Sequence, residues 1–237
     1  GVLWTLAAMT IGVLLFIIVY ILAHGLPHVG WGFLTESSEH MGRRGGVFPM
    51  IVGTLLVAGL AVIIAAPIGV ATAIYLTEYT REGKLTAVIR FGADCLAGIP
   101  SIIFGLFGFV FFAITLGMGL SVLSGALTLA LMALPTIIRT SEEAIRAVPY
   151  AYREVSYGVG STRWQMVTHV VLRSALPGVG TGIVLSLGRS ISETAAVMLT
   201  AGSALRIPHS AFDSTRTLAL HFYILSREGI SMPNAYA

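Results

Sequence analysis

Residues 2–22 form an apolar run without a single charged side chain, and residues 47–76 form a second. A helix rises about 1.5 Å per residue, so each run is long enough to cross the ~30 Å hydrocarbon core of a bilayer. Lipid offers no hydrogen bonds, so a spanning run must satisfy its own amides and carbonyls, and these runs lack the alternation of barrel strands. They are therefore expected to be helices. Further runs over 87–116, 120–138 and 179–199 bring the expectation to five spans and an all-α, polytopic integral membrane fold. Composition agrees, with 56% of residues hydrophobic and 11% charged. No polar block is long enough to bury a core of its own, so residues 1–237 read as a single transmembrane domain.

The runs carry interruptions. Pro67 requires the second helix to tilt, kink or project from the bilayer. In the third, "AGIPSIIFG" places Pro100 among glycines, which implies a packed or water-lined position. Residues 217–225 are apolar but too few to cross, and are expected to lie at the interface or to re-enter. With the N-terminus inside, the loops after spans two and four carry Arg81, Lys84, Arg90, Arg139, Arg146, Arg153, Arg163 and Arg173, against Arg43, Arg44, Arg206, Arg216 and Arg227 on the other side. That asymmetry sets the orientation, and it accounts for the net charge of +3 better than nucleic-acid binding does.

The last span holds two charges. In "GIVLSLGRSISETAAVMLTAG", Arg189 and Glu193 sit where each would cost roughly 2.5 to 3.5 kcal/mol at the bilayer centre. Small residues recur at every fourth position, Gly178, Gly182, Ser186, Ser190 and Thr194. Such a ridge lets another helix pack closely, with Gly178, Gly182 and Ser186 as the packing positions. Arg189 and Glu193 lie four apart beside it, on one face, where mutual pairing and water access offset their cost. Two readings stand: a polar translocation path through Arg189, Glu193 and Ser190, or a structural ion pair locking two helices. Arg90 and Asp94 repeat the spacing near the cytoplasmic end, where a structural pair is expected.

Residues 139–177 form the one long polar segment. Thr140 with Glu143, and Thr162 with Gln165, fit the capping box. Pro149 suits the first turn of a helix starting near Tyr150, and Gly160 its C-terminal stop. A short helix held between two spans is either a knob for a partner's groove or an amphipathic loop resting on headgroups.

Here the chain resembles the membrane subunits of ABC importers. Their cytoplasmic motif is Glu-Ala-Ala, three residues, Gly, nine residues, Ile-x-Leu-Pro. This chain has Glu154-Val155-Ser156, Gly160 and Val170-Val171-Leu172-Arg173, so Val155 and Ser156 replace the alanines, Val170 the isoleucine and Arg173 the proline. The spacing from Glu154 to Gly160 and Leu172 is kept. More closely, the chain is similar to the PstA-type permeases of phosphate-specific (Pst) ABC importers through "GGVFPMIVGTLL", "GIPSIIFGLFG", "ALPGVGTGIVLSLGRSISETA", "LTAG" and "TLALHFYILSREGISMPNAYA", although the family's proline soon after "ETA" is absent.

The resemblance implies a type I ABC-importer transmembrane domain of about six helices in the bacterial inner membrane, with a sixth helix after Ala237, and the absence of a methionine at Gly1 leads us to expect residues before it. It implies a subunit that forms half of a phosphate path, coupled to a cytoplasmic ATPase through Glu154, Val155, Ser156, Gly160 and Leu172. The implied partners are a second homologous permease, two ATPase subunits that hold the ATP and magnesium, and an extracytoplasmic phosphate-binding protein. Arginine would offer an oxyanion a permanent charge with fork geometry, and Glu193 would loosen that grip to allow release.

The sequence contains no G-x-x-x-x-G-K-[ST], since Gly83-Lys84 is followed by Leu85, and no nucleophile elbow. This subunit is therefore not expected to hydrolyse ATP. His24 and His28 would share a helix face only if the first span continued through Pro27, and the single cysteine, Cys95, can form no intrachain disulfide, so neither a metal nor a cofactor is expected. The alternatives are a permease for another oxyanion such as phosphonate or sulfate, an ion-coupled secondary transporter, and a membrane sensor of phosphate status.

Overall fold

The computed structural model describes residues 1–80 and 83–237; Arg81, one of the expected cytoplasmic cations, lies outside the described residues. The first run is α1, Val2–Gly25, which stands apart from the other helices and is touched at its C-terminal end. There the Tyr20 ring meets Tyr236 edge-on at 6.0 Å, and Gly25 lies against the backbone of Tyr236. A 3-10 turn, α2 (Trp31–Thr35) and a hairpin of β1 (Ser38–Glu39) with β2 (Arg44–Gly45) lead into α3, Phe48–Ile74. A π-wound turn, Tyr75–Tyr79, extends α3, and Pro67 does not end it.

Pro100 acts differently. It has no amide to donate and drives Ile99 into extended geometry, ψ 131°. The third run is consequently two helices, α4 (Lys84–Gly98) and α5 (Ser101–Gly108, extended by a π-wound stretch to Thr115), bent by 101°. Ser121 caps α6, Val122–Arg146, by accepting from the Ser124 amide at 3.2 Å. The apolar pattern predicts a fourth span over 120–138 and a new capped helix at Thr140, whereas α6 runs unbroken through both. Thr140 is a helix-interior residue whose hydroxyl donates to the Thr136 carbonyl at 2.8 Å, so the box with Glu143 does not form. Charged residues past the bilayer remain good helix formers, and loss of hydrophobicity there marks the membrane boundary without ending the helix.

After α7 (Tyr150–Gly158) comes α8, Arg163–Gln165, whose capping box is made: the Thr162 amide donates to Gln165 Oε1 at 2.9 Å and the Gln165 amide to Thr162 Oγ1 at 3.3 Å. It continues through a π-wound turn into α9, Leu172–Ser192. Then follow α10 (Ala195–Thr200), α11 (Leu218–Arg227) and α12 (Met232–Tyr236). Among the described residues four helices are long and apolar enough to cross a membrane, or five counting the bent α4–α5 pair.

The core joins α3, α6 and α10 through Val57, Ala61, Ala65, Leu129, Ala133 and Val197. Its alanines let helix axes approach closely, which compensates for the missing hydrophobic drive between helices in lipid. A second cluster, with Ala73, Ile145, Met166, Val171 and Ala175, packs the end of the bundle that carries α7.

Candidate functional site

The small-residue ridge of α9 faces α6. Gly178 lies against Ala144 and Gly182 against Thr140, closely enough that neither position has room for a Cβ. Ser186 is buried, and its Oγ has no hydrogen-bond partner. It opens into a narrow cavity of about 10 Å³ lined also by Leu129, Met132 and Ala133 of α6 and by Arg189, Ser190 and Glu193. That is room for about one water, which would satisfy the hydroxyl. Leu129 and Ala133 lie in the middle of α6, so this cavity is at mid-bundle depth.

At that depth the helix breaks. The Ser192 hydroxyl donates back to the carbonyls of Gly188 and Arg189, and Glu193 is extended, with φ −72° and ψ 130°. Polar side chains that compete for helical carbonyls explain why the chain leaves the helix here. The predicted Arg189–Glu193 pair depends on an unbroken helix and is not formed. Glu193 Oε1 instead accepts from the Ala196 amide at 3.4 Å, capping α10. Ser190 is buried, while Arg189 points outward; among the described residues its guanidinium has no hydrogen bond or ion pair. Irregular backbone at membrane depth is tolerated only inside protein or along a water-filled cavity, so this face of the subunit requires a polar neighbour.

The polar end of the bundle holds a second arrangement. Glu154 and Val155 are exposed on α7, with Tyr150, Tyr152, Tyr157 and Val159 around them. Ser156 is buried, its hydroxyl 2.6 Å from that of Ser161. Gly160 adopts φ +82°, the left-handed turn that ends the helix, and donates to the Tyr157 carbonyl at 2.9 Å. Leu172 is half-buried in the first turn of α9. Underneath, Arg153 joins three elements: it donates to Glu78 Oε1 at 2.7 Å, to the Val148 carbonyl at 2.7 Å and to the Ile145 carbonyl at 3.0 Å. In the Arg153–Glu78 ion pair Glu78 is buried and Arg153 largely shielded, with side chains 7% and 12% exposed. Arg163 donates to the Glu78 carbonyl and lies 5.1 Å over the Tyr79 ring. Sequence reasoning missed this joint, because no spacing rule links Glu78 to Arg153; the one signal is an acid closing a long apolar run.

Nor do Arg90 and Asp94 pair with each other. Arg90 reaches Glu142 at 2.7 Å, Arg146 reaches the same oxygen at 2.8 Å, and Asp94 pairs with Arg139. Among the described residues these contacts of Arg90 and Asp94 cross from α4 to α6, which offers opposite charges nearer than one turn along the same helix. At the opposite end of the bundle, beside α11, buried Arg216 donates to the Ser203 carbonyl at 3.1 Å and to His221 Nδ1 at 3.3 Å.

The model of the family "Binding-protein-dependent transport system inner membrane component" matches residues 65–226. Over 244 aligned residues the chain is 31% identical to the probable ABC transporter permease protein YqgI of Bacillus subtilis, covering 98% of this chain and 83% of that one. It is 42% identical over 182 residues to the phosphate transport system permease protein PstA 1 of Mycobacterium tuberculosis, covering 73% of this chain and 60% of the relative. PstA of Xylella fastidiosa is 36% identical, with 76% and 63% covered. The match thus spans about three fifths of these two phosphate permeases. Among solved structures, a bacterial ABC transporter that imports the acidic polysaccharide alginate superposes with a TM-score of 0.63 at 16% identity, over 98% of this chain and 87% of that one. The inward-facing methionine transporter MetNI gives 0.59 at 24% identity, over 80% and 82%. These two likenesses establish the fold, an ABC-importer transmembrane domain.

Proposed function

The chain belongs to the family of binding-protein-dependent transport inner membrane components, and from that premise we propose that it is the PstA-type permease subunit of an ATP-driven phosphate importer. It forms half of the translocation path, together with a second homologous permease. Two cytoplasmic ATPase subunits, which hold ATP and magnesium, drive it, and an extracytoplasmic phosphate-binding protein supplies it. The observation that carries this reading is Arg189 at the mid-bundle helix break, exposed and without a charge partner among the described residues, in a chain 42% identical over 182 residues to a phosphate permease.

In the assembled complex Arg189 faces the path. Its fork meets a tetrahedral oxyanion through two parallel hydrogen bonds, and its charge persists at every physiological pH. The Ser190 hydroxyl lies one residue along the break. Glu193 limits the residence time of the anion, since conduction requires release as much as binding. Gly178, Gly182 and Ser186 keep α9 tight against α6, so the break stays in register with the partner. On the cytoplasmic side α7 presents Glu154 and Val155 to the ATPase, Ser156 and Gly160 fix its shape, and Leu172 roots the segment in α9.

The test is uptake by proteoliposomes containing this subunit with its permease, ATPase and binding-protein partners. Phosphate accumulation that requires ATP supports the assignment. Uptake of sulfate or a phosphonate without phosphate would reassign the substrate, and uptake driven by an ion gradient without ATP would reassign the class.

A further inference from the structure

The loops around α7 connect it covalently to α6 and to α9, but α3 lies 75 residues from Arg153 in the chain and is joined to α7 through side chains. We propose that the Arg153–Glu78 pair carries the displacement of α7 directly into α3, with Arg153 as positioning residue and Glu78 as its anchor. This rests on α7 being the surface that the ATPase engages.

Three observations support a rigid link. First, Glu78 is buried and Arg153 is mostly shielded, so drawing Arg153 away would leave the Glu78 carboxylate without its charge partner, which costs more than letting α3 follow. Second, Arg153 also donates to the Ile145 and Val148 carbonyls at and just past the end of α6, so its position is fixed from several directions. Third, Arg163, in the turn that opens the path into α9, holds the carbonyl of Glu78 and the ring of Tyr79. Glu78 is thus the point where α3, α6, α7 and α8 meet.

The far end of α3 shows where the displacement goes. Gly53 packs against Thr215 and the Arg216 carbonyl, and Thr54 Oγ1 accepts from the Leu218 amide at 2.9 Å. No break in the helix separates Thr54 from Glu78. A shift received at Glu78 therefore arrives at the segment before α11, on the opposite face of the bundle.

Hydrogen–deuterium exchange on the assembled complex, with and without a non-hydrolysable ATP analogue, tests this. In the wild type, exchange over 75–80 and 214–218 should change together with that over 150–158. In Glu78→Gln, which keeps the side-chain shape, the change over 150–158 should persist while the other two vanish, and ATP consumed per phosphate moved should rise about fivefold or more. The proposal is overturned if nucleotide leaves 75–80 unaltered in the wild type, or if the assembled Glu78→Gln complex couples normally. Should Glu78→Gln not assemble, the wild-type exchange pattern decides alone. Failure of the underlying reading has a different signature: no ATP-dependent uptake by the wild type, or unimpaired uptake with Glu154→Lys.

Discussion

Gly182 of α9 lies directly against Thr140 of α6, so that a Cβ at position 182 would occupy the space of the threonine side chain. Gly182→Val should therefore force the two helices apart and destabilise the subunit by about 1–3 kcal/mol, the usual cost of overpacking. Gly180 has nothing within 4 Å of its would-be Cβ, so Gly180→Ala should be neutral or stabilising by up to about 1 kcal/mol through helix propensity. Unfolding of both variants in the same detergent compares them, and equal stabilities would refute the close-packing account.

The ridge that contains Gly182 was legible because a four-residue period is a property of one helix. The charge partners were not, because spacing along a helix reveals only partners on that helix. Arg90 and Asp94 have the separation of an intrahelical pair, but folding sets Glu142 and Arg139 closer. Arg189 and Glu193 fail to pair for another reason: the helix that would align them ends at Ser192, where a serine hydroxyl competes for its carbonyls. Hydropathy located the spans and was blind to helix ends, so α6 was cut short at residue 138. Pro67, where a tilt, kink or projection is expected, lies within a continuous helix, whereas Pro100 among its glycines bends the chain by 101°. The Arg153–Glu78 joint depends on tertiary proximity alone.

Glu142 and Asp94 should respond unequally to neutralisation. The Glu142 side chain is 12% exposed and accepts from two arginines, so Glu142→Gln should cost about 1–3 kcal/mol, as a largely buried carboxylate charge is lost from both contacts. Asp94 and Arg139 are half-exposed, and Asp94→Asn should cost less than about 1 kcal/mol, an effect that salt further reduces. Unfolding at low and high ionic strength measures both, and a larger loss for Asp94→Asn would contradict the ranking.

Arg189→Gln should abolish phosphate uptake while the complex still assembles, since among the described residues the guanidinium has no hydrogen bond or ion pair. Arg189→Lys should restore uptake only in part, because an ammonium lacks the fork. Assembly and uptake are to be measured on the same preparation. Loss of assembly together with uptake would instead favour a structural role at a helix interface.

Glu154→Lys and Gly160→Val should uncouple ATP hydrolysis from transport, or weaken ATPase association, without impeding membrane insertion. The first reverses an exposed charge on the face of α7 proposed to meet the ATPase. The second places a β-branched residue at φ +82°, where the side chain has open space but the backbone is strained by about 1 kcal/mol or more, shifting the turn between α7 and α8. Normal transport by both variants would exclude α7 as the coupling element.

His221 should make stability depend on pH at the opposite end of the molecule. Burial, and next the Arg216 guanidinium, hold its pKa down from 6.5 to about 4. The charge facing it is Arg216, whose Nη1 donates to His221 Nδ1; the other side of the ring rests on Gly42, which brings no titratable group. In the unfolded chain the imidazole takes up its proton near pH 6.5, while the folded protein resists until about pH 4. The unfolded state thus binds more protons between those values, and its relative free energy falls as the pH is lowered. Stability should be constant with respect to this group above pH 6.5, decline through the window and level off below about 4, a loss on the order of 3 kcal/mol. His221→Gln keeps a neutral hydrogen-bonding side chain beside Arg216 and should remove that component, leaving only the slope contributed by carboxylates. The difference between wild type and variant, followed by unfolding in detergent from pH 7 to pH 4, isolates it. Parallel pH profiles would show that folding does not displace the His221 pKa.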